Sequence, residues 1–248
     1  MCVLAFAWHA HPRWPLVLAG NRDELHARPA APLARWSPED VIAGRDLQSG
    51  GTWLGVAEAG HFAVVTNLHG FGPPVPERAS RGALVTRVLA GKATNPLPVA
   101  LDAYNPFNLI VADPTRARFL TNRPKPGRTL LEPGVYGLSN GQLDEPWPKT
   151  VRLKSVLTDW LSDGEHEPER LLDALGERTL PDVELPAGSR DPSSSPIFTS
   201  DPVYGTRCST VVAIDDAGGG QIIERRYTAD GVVTGETSID FSWPREVG

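Results

Sequence analysis

Met1-Cys2-Val3-Leu4-Ala5-Phe6 begins the chain, with one of its two cysteines directly behind the initiator methionine and at the head of an apolar run. Cys2 has two readings. In one it is a small apolar residue of a buried first strand, since free cysteine is commonly interior. In the other it is a nucleophile whose base appears when Met1 is removed. A thiol titrates near 8.5 and a new α-amine at about 7.7 to 8.0, so a single residue would carry both groups. Cys2 is small enough for methionine removal to be reasonable chemistry, and such a mechanism needs no histidine.

Outward from this segment, short apolar runs alternate with turns. Residues 3–8 and 15–20 read as two strands of a hairpin around the polar stretch 9–14, and residues 51–56 and 60–67 as two more, meeting at Glu58-Ala59-Gly60. Leu84, Val85, Val88 and Leu89 form one stripe of a helix over 81–90, ended by Gly91. Residues 107–112 and 118–121 bracket Asp113-Pro114-Thr115 as a hairpin, and 134–141 is a short glycine-rich strand or turn. Leu153, Val156, Leu157, Trp160 and Leu161 predict a helix over 151–161, with a second short one over 168–175. Residues 181–203, rich in proline, serine and aspartate, read as a long flexible loop within the domain. Strands over 208–214 and 221–227 flank a glycine-rich hairpin turn. This order predicts an α+β fold of mostly antiparallel sheets, with helices covering their outer faces. The regular alternation of a doubly wound sheet is absent, as are the dinucleotide fingerprint, the Walker A loop, the serine-hydrolase elbow and the zinc-protease motif.

With 248 residues, 40% of them apolar, the chain can bury a substantial core, and one globular domain over 1–248 is the expectation. A formal charge of −6 with scattered arginines argues against a nucleic-acid partner. The first twenty residues lack a signal-peptide apolar core, and no later run reaches membrane-spanning length, so a cytoplasmic protein without an integral membrane segment is expected. Two cysteines are too few for a disulfide scaffold or a cysteine-rich zinc site. His9, His11, His61 and His69 lack a carboxylate at a spacing that completes a site, so neither a metal nor a cofactor is expected. Trp8, Trp14, Trp36 and Trp53 read as core, with room for one or two to line a pocket for an apolar acyl group.

Polar residues gather where apolar strands stop. Asn21-Arg22-Asp23-Glu24 follows the second strand directly, Asn67 ends the run 60–67, Asn140 lies in 134–141, and Arg207 precedes the strand 208–214. An amide can donate to a developing oxyanion, and a guanidinium can hold a carboxylate or tune a nucleophile. The plainer alternatives stand beside these roles: Arg22 and Asp23 as an ion pair fixing a turn, Arg207 as the partner of an acidic loop, Asn67 and Asn140 as turn caps, and Cys208 as core filler.

Cys2 behind the initiator, Asn21-Arg22-Asp23-Glu24, and Tyr204-Gly205-Thr206-Arg207 before Ser209-Thr210 together resemble the NRDE family, also called the transport and Golgi organisation protein 2 family. The resemblance runs from Met1 to the final strand region. It implies a fold similar to N-terminal-nucleophile hydrolases, a four-layer αββα sandwich with the N-terminal residue in a cleft between sheets. That family is linked to Golgi organisation, mitochondrial and lipid homeostasis and haem trafficking, without an agreed molecular activity. Within the superfamily, the chain is most similar to cysteine amidases that cleave conjugated bile acids, penicillin V or N-acyl lipids. The resemblance gives Cys2 the nucleophile role, Arg22 or Asp23 the bracing of its sulfur and amine, Asn67 or Asn140 the oxyanion donor, and Arg207 the place of a late arginine near the nucleophile. Those amidases space the early arginine and aspartate differently, so one of Arg22 and Asp23 is expected to match better. The implied function is hydrolysis of a non-peptide amide or related acyl bond in a small compound, through an acyl-thioester on Cys2. The alternative is a binding or carrier protein that turns over nothing and holds haem or a lipid-like ligand.

Overall fold

A computed structural model describes residues 2–37, 40–91, 100–164, 166–179 and 191–245. The chain forms two compact units, each assembled from two stretches: Met1–Ala27 with Pro133–Asp240, and Arg28–Glu132 with Phe241–Gly248.

In the first unit, β1 (Cys2–His11) and β2 (Trp14–Leu25) form the expected hairpin. The second unit contributes β3 (Ala30–Trp36), β4 (Val41–Asp46), β5 (Leu54–Ala57), β6 (His61–Asn67), helix α1 (Gly82–Leu89), β7 (Phe107–Asp113), β8 (Arg116–Thr121) and β9 (Gly127–Leu131). The chain then returns to the first unit with β10 (Gly134–Leu138), helices α2 (Pro148–Ser162) and α3 (Pro168–Leu175), β11 (Tyr204–Ile214), β12 (Gly219–Tyr227) and β13 (Val233–Ser242).

The sheet order of the first unit is β10-β1-β2-β11-β12-β13, with antiparallel pairing from β10 through β12. β1 sits inside this sheet, which is why its first seven residues are all buried and its sequence is apolar without alternation. Val3, Ala5, Ala7, Val17 and Ala19 share the face that packs against α2 and α3. Both helices open on proline, whose missing N–H costs nothing in a first turn; α2 buries the predicted Leu153, Leu157, Trp160 and Leu161, with Val156 only half-buried, and α3 buries Leu171, Leu172 and Leu175. Gly137 of β10 lies where a Cβ would run into the Thr150 and Lys154 side chains of α2, so the missing side chain lets helix and strand meet.

The second unit's sheet runs β3-β4-β5-β6-β7-β8-β9, antiparallel throughout. The predicted stripe of α1, Leu84, Val85, Val88 and Leu89, is buried against it.

Three sequence expectations change. Asn21-Arg22-Asp23-Glu24 does not follow the second strand: it lies inside β2, paired along its length with β11 and, at Asn21 and Arg22, also with β1. β3, β4, β9 and β13 were not anticipated. Of the long loop, 181–190 lies outside the described residues, whereas 191–203 is built into the unit. Asp191 caps a short 3-10 turn at Pro192–Ser194, and Ser195, Ile197 and Phe198 are buried.

Candidate active site

Cys2 is buried and held at both of its backbone polar atoms. Its N–H donates to Asn140 Oδ1 at 3.0 Å, and its carbonyl accepts from Ser139 Oγ at 2.6 Å. Ser139 and Asn140 follow directly on β10, whose Leu138 is opposite Leu4, so the β1–β10 register carries them to Cys2. The other side of β1 brings Arg22 opposite Cys2, and β11 brings Cys208 opposite Arg22. Directly opposed residues project to the same face, so Cys2, Arg22 and Cys208 form a row across three strands. Arg22 pairs with Glu24 at 3.7 Å, two residues along the same face. Both thiols are free, and two strand spacings put their backbones about 10 Å apart, beyond disulfide reach.

Strand alternation sends Asn21 and Asp23 to the helical face instead. The Asn21 amide donates to the carbonyls of Leu175 (2.8 Å) and Ile197 (2.9 Å) and accepts from Ser209 Oγ (2.6 Å), tying β2 to the end of α3. The Asp23 carboxylate accepts from Thr206 Oγ1 at 2.7 Å, and its carbonyl from the Tyr204 hydroxyl at 3.0 Å. The backbone N–H of Asp23 favours the Cys2 thiolate. Gly205 has no room for a side chain, because a Cβ would lie 2.7 Å from the Thr199 carbonyl. The segment Tyr204–Arg207 is thus the brace of the segment Asn21–Glu24.

Burial pushes the Cys2 thiol above its ordinary value, and the Asp23 charge adds to this; Arg22 and the Asp23 N–H pull the other way without prevailing. Burial likewise raises the Asp23 carboxyl, opposed by the positive charge of Lys149 and the Thr206 hydrogen bond. Cys208 is likewise raised by burial and by Glu224.

The structure therefore gathers Cys2, Arg22, Asp23 and Asn140, and both Arg22 and Asp23 reach Cys2, one by register and one through its backbone. Arg207 occupies the irregularity of β11 between Thr206 and Cys208; its Nη1 donates to the Leu25 carbonyl at 2.8 Å, and it shares the electrostatic environment of Arg22 and Glu24. Asn67 ends β6 in the second unit, opposite Phe107, with an exposed side chain. Among the described residues no group of three or more His, Cys, Asp or Glu side chains is placed to hold a metal ion, and no helix is long and apolar enough to cross a membrane.

A profile of the family described as "Transport and Golgi organisation 2" matches residues 1–229. The chain belongs to the transport and Golgi organisation 2 family. Curated relatives include the "Transport and Golgi organization protein 2 homolog" of Bos taurus, 31% identical with 96% of this chain and 97% of that protein covered. The Homo sapiens homologue is 32% identical, with 91% and 92% covered. Among solved structures, the fold is similar to the C2A mutant of conjugated bile acid hydrolase from Clostridium perfringens, with TM-score 0.53, 10% identity, and 97% and 92% coverage. It is also similar to a Caenorhabditis elegans N-acylethanolamine-hydrolyzing acid amidase ortholog, with TM-score 0.52, 12% identity, and 85% and 92% coverage. These likenesses establish, for this member of the transport and Golgi organisation 2 family, the expected α+β fold of N-terminal-nucleophile-hydrolase type. The relatives' names state a cellular process and no reaction.

Four residues around Cys2 had no assigned role in the sequence reading. Ser139 adjoins Asn140, and Tyr204 and Thr206 were visible only as motif letters. Lys149 did leave a signal: it stands four residues before Leu153 and eight before Leu157, on the buried stripe of α2, where an apolar residue is expected. Starting the helix at residue 151 concealed it.

Proposed function

We propose that the chain is an N-terminal cysteine hydrolase cleaving a non-peptide amide or related acyl bond in a small compound. The observation that carries this reading is the Cys2 backbone nitrogen, held at 3.0 Å by Asn140 Oδ1 beside a thiol flanked by Arg22 and Asp23. Once Met1 is removed, that nitrogen is an α-amine already tethered next to the sulfur.

In the proposed reaction the α-amine takes the thiol proton as sulfur adds to the substrate carbonyl carbon and the carbonyl π pair moves to oxygen. Nδ2, the donor end of the Asn140 amide, meets the oxyanion. The tetrahedral intermediate then collapses, the C–N bond breaks, and the leaving amine departs with the proton returned by the α-ammonium. Water then gives a proton to the same amine as its oxygen adds to the thioester carbon; the C–S bond breaks, the carboxylic acid leaves, and the α-ammonium returns the proton to sulfur. Arg22 offsets the growing negative charge on sulfur, which matters because burial disfavours the thiolate. Asp23 orients the amine. The likeness in fold to a bile acid hydrolase and an acid amidase supports the reaction class.

The test is intact mass of natively expressed protein, followed by exposure to an activated p-nitrophenyl acyl ester. The expected result is a chain lacking Met1 that gains one acyl mass on the peptide containing Cys2, lost in Cys2→Ala. A mass retaining methionine with no adduct overturns the reading, and favours a carrier that holds an acyl ligand without reacting with it.

A further inference from the structure

The β1–β10 ladder ends at the pair Leu4 and Leu138, and carried two residues further it would set Asn140 opposite Cys2. In an antiparallel ladder, a residue facing its neighbour's hydrogen-bonding side takes one N–H and one C=O from the opposed backbone. At Cys2 two side chains supply these bonds: Asn140 Oδ1 accepts the Cys2 N–H at 3.0 Å, and Ser139 Oγ donates to the Cys2 carbonyl at 2.6 Å. Ser139 is buried and has one hydroxyl proton. Asn140 Oδ1 lies 3.5 Å from its Oγ, so the shorter separation gives that proton to the Cys2 carbonyl and leaves Oδ1 to the nitrogen. The loop that carries both side chains is itself tied back to β10. Asp144 accepts the Gly137 N–H at 2.7 Å and returns its own N–H to the Gly137 carbonyl at 2.9 Å, while Lys154 of α2 holds the same carboxylate at 2.7 Å. Within the loop, Glu145 accepts the Gln142 N–H at 2.7 Å, and a Cβ on Gly141 would lie 2.7 Å from the Trp147 ring.

We propose that Ser139 is a positioning residue: its hydroxyl clamps the Cys2 carbonyl, so that the mature terminal residue keeps the posture in which amine and sulfur face the substrate together. The inference rests on the reading of Cys2 as an N-terminal nucleophile. A first residue has no chain before it and stays ordered only where it is tied down. Held by Asn140 alone, the amine could swing about its one hydrogen bond. A second bond on the carbonyl, across Cα from the nitrogen, fixes the torsion between them and with it the direction of the side chain. The two neighbours thus divide the work: Asn140 meets the amine and the oxyanion, and Ser139 acts through the Cys2 backbone without touching the reacting atoms.

The experiment measures two rates at Cys2 near neutral pH, acylation by p-nitrophenyl acetate and alkylation by iodoacetamide, with peptide mass mapping to separate Cys2 from Cys208. Alkylation needs an accessible thiolate; acylation by the proposed route also needs the amine in place. Their ratio therefore reports posture, whereas a change in packing or access alone moves both rates together. Ser139→Ala is expected to lower the acylation-to-alkylation ratio about tenfold or more, since a small misplacement of a reacting group can cost up to about a hundredfold. Ser139→Thr, which keeps the hydroxyl, should return the ratio to within about threefold of wild type. A ratio unmoved in Ser139→Ala, or lowered equally in Ser139→Thr, overturns the proposal. Should Ser139→Ala fail to fold, Ser139→Cys, similar in size and only a weak donor, is judged by the same ratio. If wild-type Cys2 alkylates but takes no acyl group, the hydrolase reading falls and alkylation alone decides the clamp. A Ser139→Ala alkylation rate changed about fivefold or more and restored by Ser139→Thr then keeps Ser139 as the anchor of Cys2, and an unchanged rate overturns it. An acylating chain with an unmoved ratio loses only the clamp.

Discussion

Asn140 holds the Cys2 nitrogen through the acceptor end of its amide, and the proposed reaction gives its donor end the oxyanion. Loss of a good oxyanion donor raises a barrier by roughly 3 kcal/mol, about a hundredfold in rate. Asn140→Ala is therefore expected to lower kcat about a hundredfold in a steady-state assay on any ester that acylates Cys2. A fall below about threefold at saturation removes Asn140 from the oxyanion role. Of the site, the residues legible in the sequence were those whose type is costly at their position: a cysteine at the second residue, four consecutive polar residues in an apolar stretch, and an amide in a glycine-rich turn. What could not be read was direction. Arg22 and Asp23 are neighbours in sequence, and only the finding that they lie within a strand sends one to the face of Cys2 and the other to the helices. Lys149 shows the same limit: its register on α2 depends on a helix start set by Pro148.

At the scale of elements, α2 bears on β10 through a glycine. Gly137→Ala would push a methyl group into Thr150 and Lys154, and overpacking of this kind costs about 1–3 kcal/mol. The expected outcome is a Tm lowered by roughly 2–10 °C in thermal unfolding. An unchanged Tm would show that the first turns of α2 yield freely. Which elements were legible follows from how strands are buried. β1, β2, β5, β6, β7, β8, β11 and β12 are interior strands and all were found, whereas β4, also interior, was missed because its apolar run covers only residues 41–43. β3, β9 and β13 are edge strands of their sheets, and β9 and β13 expose most of their residues, so no apolar face is written into them. β3 also carries Pro32 within a register shift, which reads as a break. The helices were predicted well because each buries one continuous stripe.

For the molecule as a whole, acid stability has a separable contribution from the second unit. Asp46 closes the turn after β4: it accepts from Arg28 Nε (3.0 Å) and Nη2 (2.6 Å) and from the N–H groups of Gln48 (3.0 Å) and Ser49 (3.2 Å). Although burial raises its carboxyl, the Arg28 hydrogen bonds and charge outweigh this, so the folded value lies below the ordinary one. A group depressed on folding contributes stability that is fully present above its unfolded value, near 3.9, and is lost as pH falls through the folded value. Asp46→Asn is expected to cost about 2 kcal/mol at pH 7 in urea unfolding and progressively less below about pH 4. A destabilisation independent of pH would mean that shape, rather than charge, accounts for the turn.

The order in which the chain is made gives the discontinuity of the first unit a temporal meaning. Asn140, which anchors the Cys2 nitrogen, is 138 residues later in the chain, and β11 later still. At about 5–20 residues per second, roughly 7 to 28 s of synthesis pass before Asn140 even exists. Throughout that interval neither β10 nor β11 is present to bury the first strand, so the Met1 removal on which the proposed reaction depends would act on an open terminus. After the sheet closes, the same peptide bond adjoins a buried residue. On the proposed reading, maturation of Cys2 is thus expected during translation, and a chain that escapes trimming then would not be readily trimmed afterwards.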